Sequence, residues 1–298
     1  VIPVTTIGGY LGAGKTTLVN HLLRHAGGQR IAVLVNEFGA LPIDADLIEA
    51  KDGDLISIAG GCICCSFGND LIGALGDLAK LDPAPDHIVI EASGVAIPSG
   101  IAASVALLPG FRLNAVVVLA DAEAVRALAA DAYVGDTILR QLQDADLVLA
   151  TKSDLVTAPD LQETLSWLNA QAAQAAVVAI AEGRVPADLL LGPRERDAVV
   201  VESAHSDALF ASCVFPASAP VDAVRLAEQM AQGAFGLVRA KGFVRDLDGD
   251  IRLIQLVGRR VSVERACAAP AQLAVVCIGR ADGMDQHGLE RLFAAPEA

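Results

Sequence analysis

The chain has 298 residues and a formal net charge of −14, and 53% of it is hydrophobic against only 4% aromatic. A core built from Ala, Val, Leu and Ile can be large enough here for two domains, and so acidic a balance excludes broad nucleic-acid binding, which needs a basic face. Mean hydropathy is +0.49, yet charges, Gly or Pro interrupt every apolar run short of a membrane span, so no membrane partner is expected.

Residues 3–8 are apolar and β-branched, which predicts a buried strand. No leader peptide is read ahead of it, so the expected compartment is cytoplasmic. The strand leads into Gly9-Tyr10-Leu11-Gly12-Ala13-Gly14-Lys15-Thr16, the phosphate-binding pattern G-x-x-x-x-G-K-[ST]. Leu18, Val19, Leu22 and Leu23 then recur at helical spacing, predicting a helix over 15–25. A side chain at Gly12 or Gly14 would block phosphates from the backbone. The N–H groups of the loop and the helix start, from Gly12 and Ala13 to Thr17, point at negative charge. Lys15 is expected to reach the outer phosphates as the catalytic cation, and the Thr16 hydroxyl to ligate Mg²⁺.

The pattern continues in alternation. Strands are predicted over 31–35, 55–59, 87–91, 115–120, 147–150 and 176–180, with helices over 69–81, 137–143 and 161–170. Continuous apolar strands indicate a sheet covered on both faces, so the fold class is α/β, doubly wound and mostly parallel. After the second strand, residues 35–44 have the length of a mobile loop. Glu37 or Asp44 would orient an attacking water or contact Mg²⁺, and a plain acidic surface loop is the alternative.

Gly60-Gly61-Cys62-Ile63-Cys64-Cys65 follows the third strand. Thiolates suit Zn²⁺, Cu⁺ and Co²⁺, and Glu37, water or a partner would complete a shell that Cys62, Cys64 and Cys65 leave open. Buried packing or a redox thiol pair are the other readings. Glu91 ends a buried strand, where a carboxylate suits Mg²⁺, and Gly94 would let the backbone approach a γ-phosphate. Thr151-Lys152-Ser153-Asp154 ends another strand. Asp154 would accept from the N–H groups of guanine while the Lys152 stem packs on the ring.

The alternation weakens over 184–206, where the domain boundary is expected. Beyond it, strands are predicted over 209–215, 236–245, 251–257 and 273–278 and helices over 221–232 and 286–294, with a hairpin turn at Asp248-Gly249. This reads as a second, smaller α+β domain. The expected domains are therefore 1–195 and 206–298. Cys213 and Cys277 are expected in its core, and Trp167 as a packing residue in the first. His21 and His25, four apart on the first helix, are expected on a solvated face.

Taken together, these residues resemble the CobW-type metallochaperone GTPases. That family carries, in this order, a P-loop, an Asn-Glu/Asp-Phe-Gly loop ending in Ile-Asp, Gly-Cys-x-Cys-Cys, Glu-x-Ser-Gly and Asn-Lys-x-Asp. The match is strong from Val1 to about Leu155, and looser beyond, through Val214-Phe215 and Arg239-Ala240-Lys241-Gly242. The resemblance implies a P-loop GTPase that hydrolyses GTP slowly with Mg²⁺, and binds Zn²⁺ or Co²⁺ for delivery to a client metalloprotein. The chain departs from the family pattern in lacking its histidine-rich tract, in Ala40 where many members carry Glu, and in Thr151 where they carry Asn, which would loosen base recognition. The other functional readings are a P-loop kinase or ATPase acting on a small molecule, and a non-catalytic metal buffer or thiol sensor.

Overall fold

The computed structural model describes residues 1–36, 55–60, 69–192, 209–217, 219–232, 235–266, 270 and 272–294. They fall into two compact units, Val1–Leu191 and Gly192–Ala298.

The first unit is a seven-stranded sheet flanked by helices. Its elements in chain order are β1 (Ile2–Gly9), α1 (Lys15–Arg24), β2 (Ile31–Asn36), β3 (Leu55–Gly60), α2 (Asn69–Ala79), β4 (His87–Glu91), α3 (Pro98–Ala106), β5 (Phe111–Asp121), α4 (Val125–Ala129), α5 (Gly135–Gln143), β6 (Leu147–Thr151), α6 (Ala158–Gln171), β7 (Ala176–Ala179) and α7 (Ala187–Leu191). The strand order is β3-β2-β4-β1-β5-β6-β7, and every pairing is parallel. Strand order reverses on the two sides of β1, which makes the crevice at its carboxyl end the switch point where such sheets bind ligands.

The strands read as unbroken apolar runs because both faces are covered. On one face, Val4, Ile88 and Ile90 pack with Leu71, Leu75, Ile101 and Val105, and Val116, Val118 and Val148 with Ile138, Leu142 and Leu168. Trp167 packs at the margin of that cluster. On the other face, a buried polar group pins α7. Asn114 Nδ2 donates to Thr5 Oγ1 at 2.7 Å and to Leu190 O at 2.9 Å, Thr5 Oγ1 donates to Leu190 O at 3.2 Å, and His87 Nε2 lies 2.8 Å from the same hydroxyl. A five-residue helix has little stability of its own, so these bonds, with buried Leu189 to Leu191, hold it.

The second unit comprises β8 (Phe210–Pro216), α8 (Ala223–Ala231), β9 (Leu237–Arg245), β10 (Ile251–Val257), β11 (Arg260–Arg265), β12 (Ala274–Arg280) and α9 (Gln286–Phe293). Its antiparallel sheet has the order β11-β10-β9-β12-β8. Residues from α8 and α9, among them Leu226, Met230 and Leu289, share a core with Phe215, Ile254, Val275 and Cys277. Cys213, directly opposite Cys277 on the neighbouring strand, packs against that core. Burial, then the nearby Cys213, pushes the Cys277 thiol up, which makes it a poor nucleophile. The Asp248-Gly249 turn stands as expected, with Gly249 at φ 89°.

Several elements are absent from the sequence expectations: α3, α4, α7 and β11. Helix α3 is built largely of Ala, Ser and Gly, so its two faces differ little. Helices α4 and α7 are single turns. Strand β11 alternates Val with Arg, Ser and Glu, and pairs with β10 through a two-residue turn at Gly258-Arg259. Helix α2 also ends at Ala79, two residues before its expected limit.

Asp246 joins helix to sheet in the second unit. Its Oδ1 accepts from the N–H groups of Ala223, at the start of α8, and Leu247, and its Oδ2 accepts from Arg252 Nε at 3.0 Å. Burial works against its charge, but these three donors outweigh burial and hold the carboxyl below its ordinary value. A depressed carboxylate contributes stability above its unfolded pKa of about 3.9 and loses it as pH falls through the lower folded value. Acid titration followed by circular dichroism should therefore show the wild-type chain losing stability below about pH 4, with a shallower loss for Asp246→Asn. In the first unit, Thr5→Val should lower unfolding stability by about 2 kcal/mol, read by urea denaturation, because it removes the buried hydroxyl that bonds to His87, Asn114 and Leu190.

Candidate functional site

The carboxyl ends of β4, β1, β5, β6 and β7 lie side by side, in that order. Each carries a residue that sequence reasoning or geometry marks. β1 runs straight into the phosphate-binding loop. Gly12 and Gly14 adopt φ of 76° and 94°, and a Cβ built on either meets nothing within 4 Å. The loop's concave side is thus open backbone, the shape a phosphate chain needs. Helix α1 starts at Lys15 with no side-chain cap and no acid of its own in its first turn, so its positive end and its free N–H groups face the loop. Lys15 is buried, and its Nζ donates to the carbonyls of Gly9 at 3.0 Å and Tyr10 at 3.3 Å.

Thr16 Oγ1 donates to Glu91 Oε1 at 3.1 Å. Glu91 is buried at the end of β4. A hydroxyl and a carboxylate in contact beside a phosphate loop are hard oxygen donors of the kind Mg²⁺ takes, so these two residues fit that ion. Three residues on, Gly94 lies so close to the P-loop that a Cβ would come within 2.9 Å of the Leu11 backbone nitrogen.

Thr151, at the end of β6, donates from Oγ1 to Ala13 O at 2.9 Å. The residue expected to loosen base recognition therefore ties the Thr151-Lys152-Ser153-Asp154 stretch to the phosphate loop. Lys152 stands in the left-handed region at φ 56°. Its ammonium is held by Asp121 Oδ2 at 2.6 Å. Asp154 is exposed in the short turn Ser153–Leu155. The Ser153 N–H donates to Ile180 O at 3.3 Å, which sets that turn against the end of β7. Just beyond, a Cβ on Gly183 would lie 3.2 Å from the Thr17 methyl. Lys15, Thr16, Thr17, Lys152 and Asp154 are thus gathered on adjoining loops at one end of the sheet.

The remaining expected site residues, Glu37, Asp44, Cys62, Cys64 and Cys65, lie outside the described residues. The strands that lead to them are described. β2 ends at Asn36 and β3 at Gly60, and these two residues are register partners, while Val35 is the partner of Glu91. Among the described residues, no group of His, Cys, Asp or Glu is arranged to hold a metal ion, and no helix is long and apolar enough to cross a membrane. His21, half-buried on α1, and His25, exposed just past its end, stack at 4.2 Å between ring centroids.

A family model described as CobW/HypB/UreG, nucleotide-binding domain, matches residues 3–179, and one described as the cobalamin synthesis protein cobW C-terminal domain matches 210–296. The chain belongs to the CobW family. It is 33% identical over 221 residues to a zinc chaperone CobW of Sinorhizobium sp., covering 64% of this chain and 62% of that protein. It is 38% identical over 182 residues to the zinc chaperone YjiA of Escherichia coli K12, covering 57% and 56%. The chain thus spans less than two thirds of the length of these curated relatives. A Zn(II)-bound YjiA GTPase structure from E. coli aligns over 98% of both chains at 26% identity, with a TM-score of 0.45.

In this CobW-family chain, geometry adds residues that the sequence reading did not single out. Asp121 ends a buried apolar strand just as Glu91 does, and the same signal would have found it. Gln141 is a polar residue within the Ile138, Leu142 stripe of α5, buried at 1% exposure, an anomaly visible in the helical pattern. The Thr151 link has a direct test. Thr151→Val keeps the shape and removes the donor, and should weaken nucleotide binding about tenfold in a fluorescent-nucleotide titration, whereas Thr151→Asn, which restores a donor, should recover most of the loss.

Proposed function

We propose that this chain is a GTP-hydrolysing metallochaperone that binds Zn²⁺ as cargo and passes it to a client metalloprotein in the cytoplasm. Residues 1–195 are read as the GTPase domain and 206–298 as the C-terminal domain, and the two family matches fall within these limits. Gly12, Ala13, Gly14, Lys15, Thr16 and Thr17 cradle the phosphates. Asp154 reads guanine, and Lys152 packs its stem on the base. Thr16 and Glu91 hold Mg²⁺, which supplies positive charge against the phosphate oxygens when bound. Lys15 stabilises charge on the outer phosphates, and Glu37 or Asp44 orients water.

Cys62, Cys64 and Cys65, with Glu37, are the proposed cargo ligands, a soft set that suits Zn²⁺ and also accepts Co²⁺. The names of the relatives favour zinc. The acidic charge of −14 speaks against a nucleic-acid partner.

One observation carries the coupling between the two ends. The strand that leads to Glu37 and the strand that leads to the cysteines finish as neighbours, Asn36 beside Gly60, and the first of them lies against Glu91. Ordering by nucleotide and Mg²⁺ at the end of one strand would thereby be felt at the end of the next, from which the chain to the proposed ligands starts. Linkage makes the effect reciprocal: GTP tightens metal binding by the factor by which metal tightens GTP.

The test is a zinc titration with nucleotide varied. A non-hydrolysable GTP analogue should raise zinc affinity roughly 5- to 150-fold over GDP. Cys64→Ala/Cys65→Ala should lose stoichiometric zinc binding, and Lys15→Ala should keep zinc binding but lose its nucleotide dependence. Equal zinc affinity with both nucleotides removes the coupling.

A further inference from the structure

The segment after β4 is held from two directions. On one side, Glu91 meets Thr16 and Gly94 lies against Leu11. On the other side stands α5. Gln141 Nε2 donates to Gly94 O at 3.1 Å and to Ala96 O at 2.8 Å. At the end of the same helix, Asp144 Oδ2 accepts from Ser99 Oγ at 2.5 Å.

The surroundings of Gln141 are apolar. It lines a small pocket with Tyr10, Leu11, Val118, Ile138 and Leu142. Those walls do not suit a triphosphate, but they make the hydrogen bonds of Gln141 costly to replace. A side-chain amide has two N–H donors, and both are committed to carbonyls of one short stretch of backbone.

We infer that Gln141 is a positioning residue that sets the loop at Gly94 for the γ-phosphate, and so fixes the preference of this site for tri- over diphosphate nucleotide. This rests on the GTP reading above. The P-loop and the Thr16–Glu91 pair serve both nucleotides alike. Gly94 is where the two differ, since only the triphosphate extends past the loop to the backbone that follows Glu91. The amide of Gln141 keeps that backbone in one place, so its loss penalises the state that needs Gly94 there and spares the state that does not.

The experiment compares wild type, Gln141→Met and Gln141→Glu in equilibrium titrations with fluorescent GDP and a fluorescent non-hydrolysable GTP analogue. Methionine keeps the length without donors, and glutamate keeps the volume without the paired donors. Both variants should bind the triphosphate about tenfold more weakly while binding GDP within about twofold of wild type. Retained GDP binding also reports an intact fold. Equal losses for the two nucleotides, or no loss, would overturn the inference and leave the GTP reading standing. A wild-type chain that binds neither nucleotide would overturn both.

Discussion

A backbone that must face a polyanion has little room on its concave side for side chains that would brace it. Gly12 and Gly14 keep the concave side of the loop open, in a left-handed conformation that other residues rarely adopt. The loop is therefore held from outside, by Glu91 on Thr16, by Thr151 on Ala13, and by the close approach of Gly94 to Leu11. Glu91 ends β4 and Thr151 ends β6, while the loop itself ends β1. The parallel sheet, with β1 near its middle, is what brings these strand ends to one edge. The chemistry of the site follows from strand order before it follows from any single side chain.

The same geometry explains what the sequence made legible. A phosphate loop between an apolar strand and an amphipathic helix is a local pattern, and Glu91 and the Thr151-Lys152-Ser153-Asp154 stretch announce themselves by ending buried strands. The partners of these residues are not local. Thr151 and Ala13 are separated by 138 positions, so a threonine in place of the family's asparagine reads as a loss until its hydroxyl is seen on the loop. Gln141 reads as a blemish on the apolar stripe of α5 until its amide is seen on Gly94 and Ala96. In the fold, long apolar strands were plain. The alanine-rich α3 and the short, charge-bearing β11 were not, because their faces lack the contrast that periodicity detects.

The second unit depends on a different economy of polar groups. Its helices share one core with the antiparallel sheet, and the two described cysteines sit in or against that core, with the thiol of Cys277 made unreactive by burial. Asp246, half-buried, joins the start of α8 to the hairpin between β9 and β10. Burial thereby discourages thiol chemistry at Cys277, and the cluster at Cys62, Cys64 and Cys65 is the first place to look for it.

Helix α7 bears on where the first unit ends. The nucleotide-domain match stops at residue 179, but Leu190 supplies the carbonyl that Thr5 and Asn114 share. A fragment trimmed to that match would bare three polar side chains, those of Thr5, His87 and Asn114, in the middle of a sheet face that carries the phosphate loop on its central strand. A fragment meant to stand alone should accordingly run to Leu191, whose turn covers the strand that leads to the cradle.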